Sequence, residues 1–240
     1  MKNFVLVHGA WGGSWEFDRV SELLSTDGNK VSAIDLPGHG NNKSPLDQIT
    51  MDAYVSAVID VVRKHDQPVI LVGHSLAGAI ISQVAEAIPE KIEKLIYVAA
   101  MLPKSGDTAL NLMQNDKDGE LLAHLIFSDD QSYVTISGDT VRKILLHDVE
   151  DSELVNSLIP HFLMKQSTQP FMAESKLTNE KFGSVAKYYI RASLDKVLSP
   201  SLQETMLTNW QVEKVFTLES GHFPLTSIPT KLVDIIRQTV

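Results

Sequence analysis

The segment Val69-Ile70-Leu71-Val72-Gly73-His74-Ser75-Leu76-Ala77-Gly78-Ala79-Ile80 restricts the fold more than any other stretch of the chain. A four-residue apolar run, β-branched at three positions, passes through Gly-x-Ser-x-small directly into helix-forming residues. Strand, sharp turn and helix must therefore share one short span. In such an elbow the serine sits in a strained turn that lifts its hydroxyl above the sheet edge. The turn accepts only small neighbours, which Gly73 and Ala77 supply; Ala77 stands where a second glycine is usual, with Gly78 one place later. Ser75 also opens a helix, whose free N–H groups favour developing negative charge. A serine that merely caps a helix would have the same strand before it and the same helix after it. The small residues on both sides favour a nucleophile.

A strand–helix alternation runs through the first hundred residues. Short runs rich in β-branched residues, at 4–7, 31–34, 69–72 and 95–98, end near Gly, Pro, Asp or Ala. They lack strict polar alternation, as strands buried on both faces do. Between them lie helix-length stretches: 15–24 after Ser14, 51–65 after Thr50, and 75–88 ending before Pro89. In the second, Tyr54, Val55, Val58, Val61 and Val62 share one helical face. The rhythm predicts an α/β fold with a mostly parallel sheet flanked by helices. It lapses between about Pro103 and Gly183, where helical patches at 110–113, 120–126, 140–146 and 151–164 come with few clear strands. Strands at 186–190 and 212–218 and helices at 199–207 and 230–239 then resume it. The expected organisation is a core of residues 1–102 and 184–240 carrying an inserted helical cap at 103–183.

Composition removes several kinds of chemistry. The 240 residues include no Cys, so thiol nucleophiles, disulfides and cysteine-held zinc or iron–sulfur groups drop out. With 21 basic against 30 acidic residues the formal charge is −9, the wrong sign for a phosphate-binding face. The basic pairs Arg63-Lys64 and Arg142-Lys143 fall in helix-like stretches and read as solvated surface. No apolar run approaches the roughly 18 residues of a membrane span. The run after Lys2 ends at His8-Gly9, too soon for a signal peptide. A cytoplasmic protein that binds neither nucleic acid nor membrane is expected. His65, His124, His147 and His161 are scattered at no ligand spacing, so neither metal nor cofactor is expected.

An oxygen nucleophile needs a base, an orienting acid and donors for the oxyanion. In elbow enzymes the chain order is serine, acid, histidine. Of eight histidines only His222 follows the late strand, in Glu219-Ser220-Gly221-His222-Phe223-Pro224-Leu225. It stands just past a strand's carboxyl end, where open α/β sheets bind ligands. Asp195 is the candidate acid, 120 residues beyond Ser75 and 27 before His222. Its role would be to hold the imidazole tautomer and stabilise its cation. Asp107 and Asp139 compete for it but lie in the expected cap. The candidate oxyanion donors are the backbone N–H groups of Leu76 and of Ala10, within His8-Gly9-Ala10-Trp11-Gly12-Gly13. That turn matches neither Gly-x-Gly-x-x-Gly nor a Walker sequence. His8 and His39 are expected to brace their own turns, Asp35 to order its loop, and His74 to point away from the site.

These residues resemble the α/β-hydrolase superfamily, and more narrowly the plant methylesterase and hydroxynitrile lyase group with its bacterial esterase relatives. The likeness runs from about Asn3 to Gln238. It is carried by Phe4-Val5-Leu6-Val7-His8-Gly9-Ala10-Trp11, Asp35-Leu36-Pro37-Gly38-His39-Gly40, the Ser75 elbow and Gly221-His222-Phe223-Pro224. Within the cap, Gln166-Ser167-Thr168-Gln169-Pro170 is similar to this group, as is Tyr189-Ile190 leading to Asp195-Lys196. Lyases of the group carry Lys directly after the catalytic His and tend to have Thr at the place of Gly9. Phe223 and Gly9 therefore point to ester hydrolysis. Superfamily members with an aspartate at the elbow, haloalkane dehalogenases and epoxide hydrolases, are disfavoured by Ser75.

The resemblance thus implies a serine hydrolase acting on a small-molecule ester with a hydrophobic acyl group. Trp11, Leu76, Leu102 and Phe223 would line the site mouth, with Leu125, Phe127, Phe162 and Met164 contributed by the cap. Each of those cap residues could equally be helix core. Two other readings stay open: a small-molecule receptor on this fold, and a hydroxynitrile or C–C lyase using the same triad. A homodimer is left open as well.

Overall fold

A computed structural model describes residues 1–240. Its strands are β1 (Asn3–Val7), β2 (Lys30–Ile34), β3 (Val69–His74), β4 (Ile92–Val98), β5 (Ile126–Phe127), β6 (Tyr133–Thr135), β7 (Gln166–Ser167), β8 (Lys187–Ala192) and β9 (Lys214–Leu218). Six of them make one wholly parallel sheet in the order β2-β1-β3-β4-β8-β9. Every residue of β3 is buried, which is why its sequence shows no polar alternation.

Helices α1 (Asp18–Ser25), α2 (Met51–Val62) and α3 (Ala77–Ala87) flank the sheet. The first packs against the closing helix Pro229–Arg237, and α2 packs against α3. Thr50 caps α2 as its position predicts, its Oγ1 accepting the Ala53 N–H at 3.1 Å. Tyr54, Val58 and Val62 bury the face expected of them. At α1 the expectation shifts by a turn. Asp35 Oδ1 takes the Ser14 N–H at 2.7 Å, residues Ser14–Phe17 wind as a 3-10 turn, and the α-helix starts only at Asp18. No helix is long and apolar enough to cross a membrane.

The strand order reverses at the centre of the sheet: the chain steps from β1 outward to β2, then returns to β3 on the other side. The carboxyl ends of β1 and β3 consequently open a crevice, the usual ligand position in such sheets. Val7 pairs with Gly73, so the turn after β1 lies beside the elbow after β3.

The block between β4 and β8 departs from the helical cap expected. It holds helices Ala109–Asn115 and Ser152–Phe162, but also an antiparallel sheet, β5-β6-β7. The helical patch expected at 120–126 is a 3-10 turn, Leu121–His124, followed after Leu125 by β5. Strands this short carry no readable period, and their pairing is decided by contacts remote in sequence.

Candidate active site

Ser75 follows β3 with φ +57°, a left-handed conformation that costs a non-glycine residue about 1–3 kcal/mol. Trp11 (φ +55°) and Ala99 (φ +42°) lie beyond the carboxyl ends of β1 and β4, so three adjacent strands lead to the same unusual backbone. The elbow is held by main chain: the Ser75 carbonyl accepts the Gly78 and Met101 N–H groups, both at 3.0 Å. A Cβ at Gly78 would lie 2.0 Å from the Met101 carbonyl oxygen, and one at Gly9 would lie 2.7 Å from the Ser75 Cβ. The indispensable glycine after the serine is therefore Gly78, and the Ala77 methyl is accommodated in full burial.

The structure brings Ser75, His222 and Asp195 together. Ser75 Oγ stands 2.8 Å from His222 Nε2, and His222 Nδ1 stands 2.8 Å from Asp195 Oδ2. The other Asp195 oxygen accepts the N–H groups of Val197 (2.7 Å) and Leu198 (3.1 Å). Gln203 Nε2 adds a donor to Oδ2 at 3.3 Å. A carboxylate so supplied is an acceptor throughout. His222 therefore carries its proton on Nδ1, and its Nε2 accepts the Ser75 O–H. Burial holds the His222 pKa below the ordinary histidine value, with the Asp195 charge pulling the other way. The imidazole is accordingly neutral at neutral pH.

Ala10 and Leu76 are buried residues whose main-chain N–H groups donate to no protein acceptor. The Ala10 N–H belongs to the same peptide plane as the Gly9 carbonyl. That carbonyl accepts the His8 Nδ1–H at 2.8 Å, while His8 Nε2 accepts the Leu36 N–H at 3.1 Å. Burial pushes the His8 pKa down to about 3, so this brace stays neutral.

His74 and His147, expected to stand apart from the site, and Glu16 and Asp148, which the sequence did not single out, complete the setting. His74 does not simply turn away. Its Nε2–H donates to the His222 carbonyl at 2.8 Å, and its Nδ1 faces Glu16 Oε2 at 3.1 Å. The other Glu16 oxygen is buried without a partner. From the cap, Asp148 Oδ2 accepts the Gly221 N–H at 2.7 Å, and the His147 ring donates to the Leu194 carbonyl at 2.9 Å. The loops that carry His222 and Asp195 are thus both tied to the block between β4 and β8. Glu16, set between Trp15 and Phe17, was the one with a sequence signal: a carboxylate inside an aromatic turn.

The expected lining residues fall in different places. Leu125 and Phe127 border a cavity of about 70 Å³ with Met113, Val134 and Phe171. The Trp11 ring stands 5.9 Å from Phe171, next to that cavity. Phe162 is buried edge-on against Phe223 at 5.2 Å, and Phe223 in turn packs on the His74 ring at 4.6 Å. Leu102 is fully buried, its N–H donating to Met206 Sδ at 3.3 Å. Met164 lies elsewhere, on a surface groove with Trp15 and Lys165. Asp107 caps a turn through the Lys104 N–H, and Asp139 pairs with Lys143 in solvent. Asp35 accepts the Ser14 and Asn41 N–H groups and orders its loop.

Known proteins resemble the chain over nearly its whole length. Residues 4–235 match the model of the alpha/beta hydrolase family. "Putative methylesterase 11, chloroplastic" of Arabidopsis thaliana is 32% identical over 96% of this chain, and the chain spans only 62% of that relative's length. An alpha-hydroxynitrile lyase of the same plant is 29% identical over 97% of this chain and 94% of its own. A pyrethroid hydrolase from Sphingobium faniae JZ-2, known by its crystal structure, superposes with a TM-score of 0.85 at 28% identity, covering 99% of this chain and 96% of the other. With residues 4–235 matched, the chain belongs to the alpha/beta hydrolase family.

Proposed function

We propose that the protein is a serine hydrolase that cleaves a small carboxylic ester through an acyl-enzyme. The observation that carries this is the unbroken chain Asp195–His222–Ser75, with both links at 2.8 Å, ending beside Ala10 and Leu76, whose N–H groups have no protein acceptor. In the first half-reaction His222 Nε2 takes the Ser75 proton as Oγ bonds to the ester carbonyl carbon. The carbonyl oxygen, now negative, is received by the Ala10 and Leu76 N–H groups, a form of stabilisation worth about 3–4 kcal/mol per donor. His222 passes its proton to the departing alkoxide oxygen, leaving the acyl group on Ser75. In the second half His222 deprotonates a water, which attacks the acyl carbon, and the acid leaves as Ser75 regains its proton.

The 70 Å³ cavity beside Trp11 and Phe171 suits a short apolar arm of the ester. Lyase chemistry is the weaker reading, because buried Phe223 follows His222 where the resembling lyases place a lysine for cyanide. The test is a panel of short aryl and methyl esters, with mandelonitrile, against the wild type and Ser75→Ala. Ester hydrolysis is expected to fall by about 10⁴-fold or more in the variant. Equal rates for the two proteins would contradict the nucleophile assignment. Faster cleavage of mandelonitrile than of any ester would favour a lyase. Binding with no turnover at all would favour a receptor.

A further inference from the structure

Gln166, on the cap strand β7, is wholly buried and uses every hydrogen-bonding position of its amide. Oε1 accepts the Trp11 main-chain N–H at 3.2 Å and the His39 Nε2–H at 2.9 Å. Nε2 donates to Tyr54 OH and to the Ser167 carbonyl, both at 3.1 Å. The Trp11 N–H can only donate, so the orientation of the amide is forced. The indole of Trp11 is caught by the same small sheet: its Nε1–H donates to the Val134 carbonyl at 3.2 Å. Val134 and Gln166 are direct partners in the β6–β7 pairing. Two facing cap residues therefore grip one core residue at both its ends.

That core residue directly follows Ala10. Trp11 has φ +55°, which a tryptophan leaves readily unless its surroundings hold it. Rotation there turns the Ala10–Trp11 peptide plane, which shares the Ala10 α-carbon with the Gly9–Ala10 plane. His8 fixes the latter plane from the core side. Gln166 fixes the former from the cap side. We propose that Gln166 is a positioning residue through which the seated cap sheet holds the oxyanion turn in its working conformation. The idea rests on the serine-hydrolase reading, since it needs the Ala10 N–H to receive the oxyanion. Cap seating and catalytic competence become one event: a cap lifted at β6–β7 withdraws both acceptors from Trp11.

The experiment is steady-state hydrolysis of p-nitrophenyl acetate by the full chain, its Ser75→Ala variant, Gln166→Leu and Gln166→Glu. Removing an oxyanion donor outright costs about 10²–10³ in kcat, so loosening one should cost about tenfold to a hundredfold. Gln166→Leu is expected to lose that much kcat with KM within about twofold, a split that marks a transition-state interaction. Gln166→Glu keeps the acceptor for the Trp11 N–H and lets Tyr54 OH donate instead, losing only the donation to the Ser167 carbonyl, so its kcat should stay well above that of the leucine variant. Amide exchange at Trp11 provides a readout independent of turnover. It should quicken in Gln166→Leu while β3 amides stay protected. If Ser75→Ala is inactive but Gln166→Leu keeps wild-type kcat, the cap proposal alone is overturned. It is equally overturned if the glutamate variant is as impaired as the leucine variant, or if Trp11 exchange is unchanged. If Ser75→Ala hydrolyses the ester as fast as wild type, the hydrolase reading falls and this proposal with it.

Discussion

A single methyl group added at Gly78 would have to share space with the Met101 carbonyl, only 2.0 Å from its Cβ position. That carbonyl belongs to the residue whose N–H ties down the Ser75 main chain. Gly78→Ala is thus expected to destabilise the fold by about 1–3 kcal/mol through overpacking. Ala77→Gly, one residue earlier, should cost no more than about 1 kcal/mol of helix propensity. Thermal melts of the two variants check the order; a more damaging Ala77→Gly would place the critical contact wrongly. Ser75, Asp195 and His222 were legible in the sequence because each stands just past a recognisable strand, in the chain order the elbow chemistry uses. Gly78 as the tightest position was not legible. Nothing local announces that the Met101 backbone lies over it. Gln203 and Asp148 escaped for the same reason, since their roles show only in the partners they face.

Among the elements, the central strands β3 and β4 were found because burial writes itself into composition, whereas the edge strands β2 and β9, largely half-buried or exposed, were found from their β-branched residues and their place in the strand–helix rhythm. Val69 to Val72 and Leu95 to Val98 are apolar throughout, and both lie within fully paired central strands. The cap strands have two or three residues each, and no period fits into them. Their existence depends on tertiary pairing such as Val134 with Gln166. The Gln166-Ser167 pair was visible as a likeness to relatives, but its physical reason lies in β7. From there Ser167 Oγ also donates to the Ile49 carbonyl at 2.9 Å, fastening the cap to the segment before α2. A strand with no readable period in the sequence is therefore the one that meets the turn after β1.

At the scale of the whole molecule, three histidines, His8, His39 and His222, are buried around the carboxyl ends of the central strands. Burial holds His8 down to about 3, and holds His39 and His222 below the ordinary value of 6.5. The unfolded chain binds these protons from about pH 6.5 downward, and the folded chain only at lower pH. Unfolding therefore takes up protons in that window, and stability must fall as pH falls. Each such group contributes at most ~1.4 kcal/mol per pH unit between its unfolded and folded values. The melting temperature is expected to hold above about pH 6.5 and to decline steadily below it. A melting temperature unchanged from about pH 7 to pH 4 would contradict the neutral, buried state of these rings.

In the proposed mechanism Ser75 is the residue that bonds to the substrate. Treatment with an aryl fluorophosphonate, followed by digestion and mass spectrometry, locates that residue without knowledge of the natural ester. One adduct is expected, on Ser75, forming slower by about 10³-fold or more in His222→Ala. An adduct on any other residue, or none in the wild type, would contradict it.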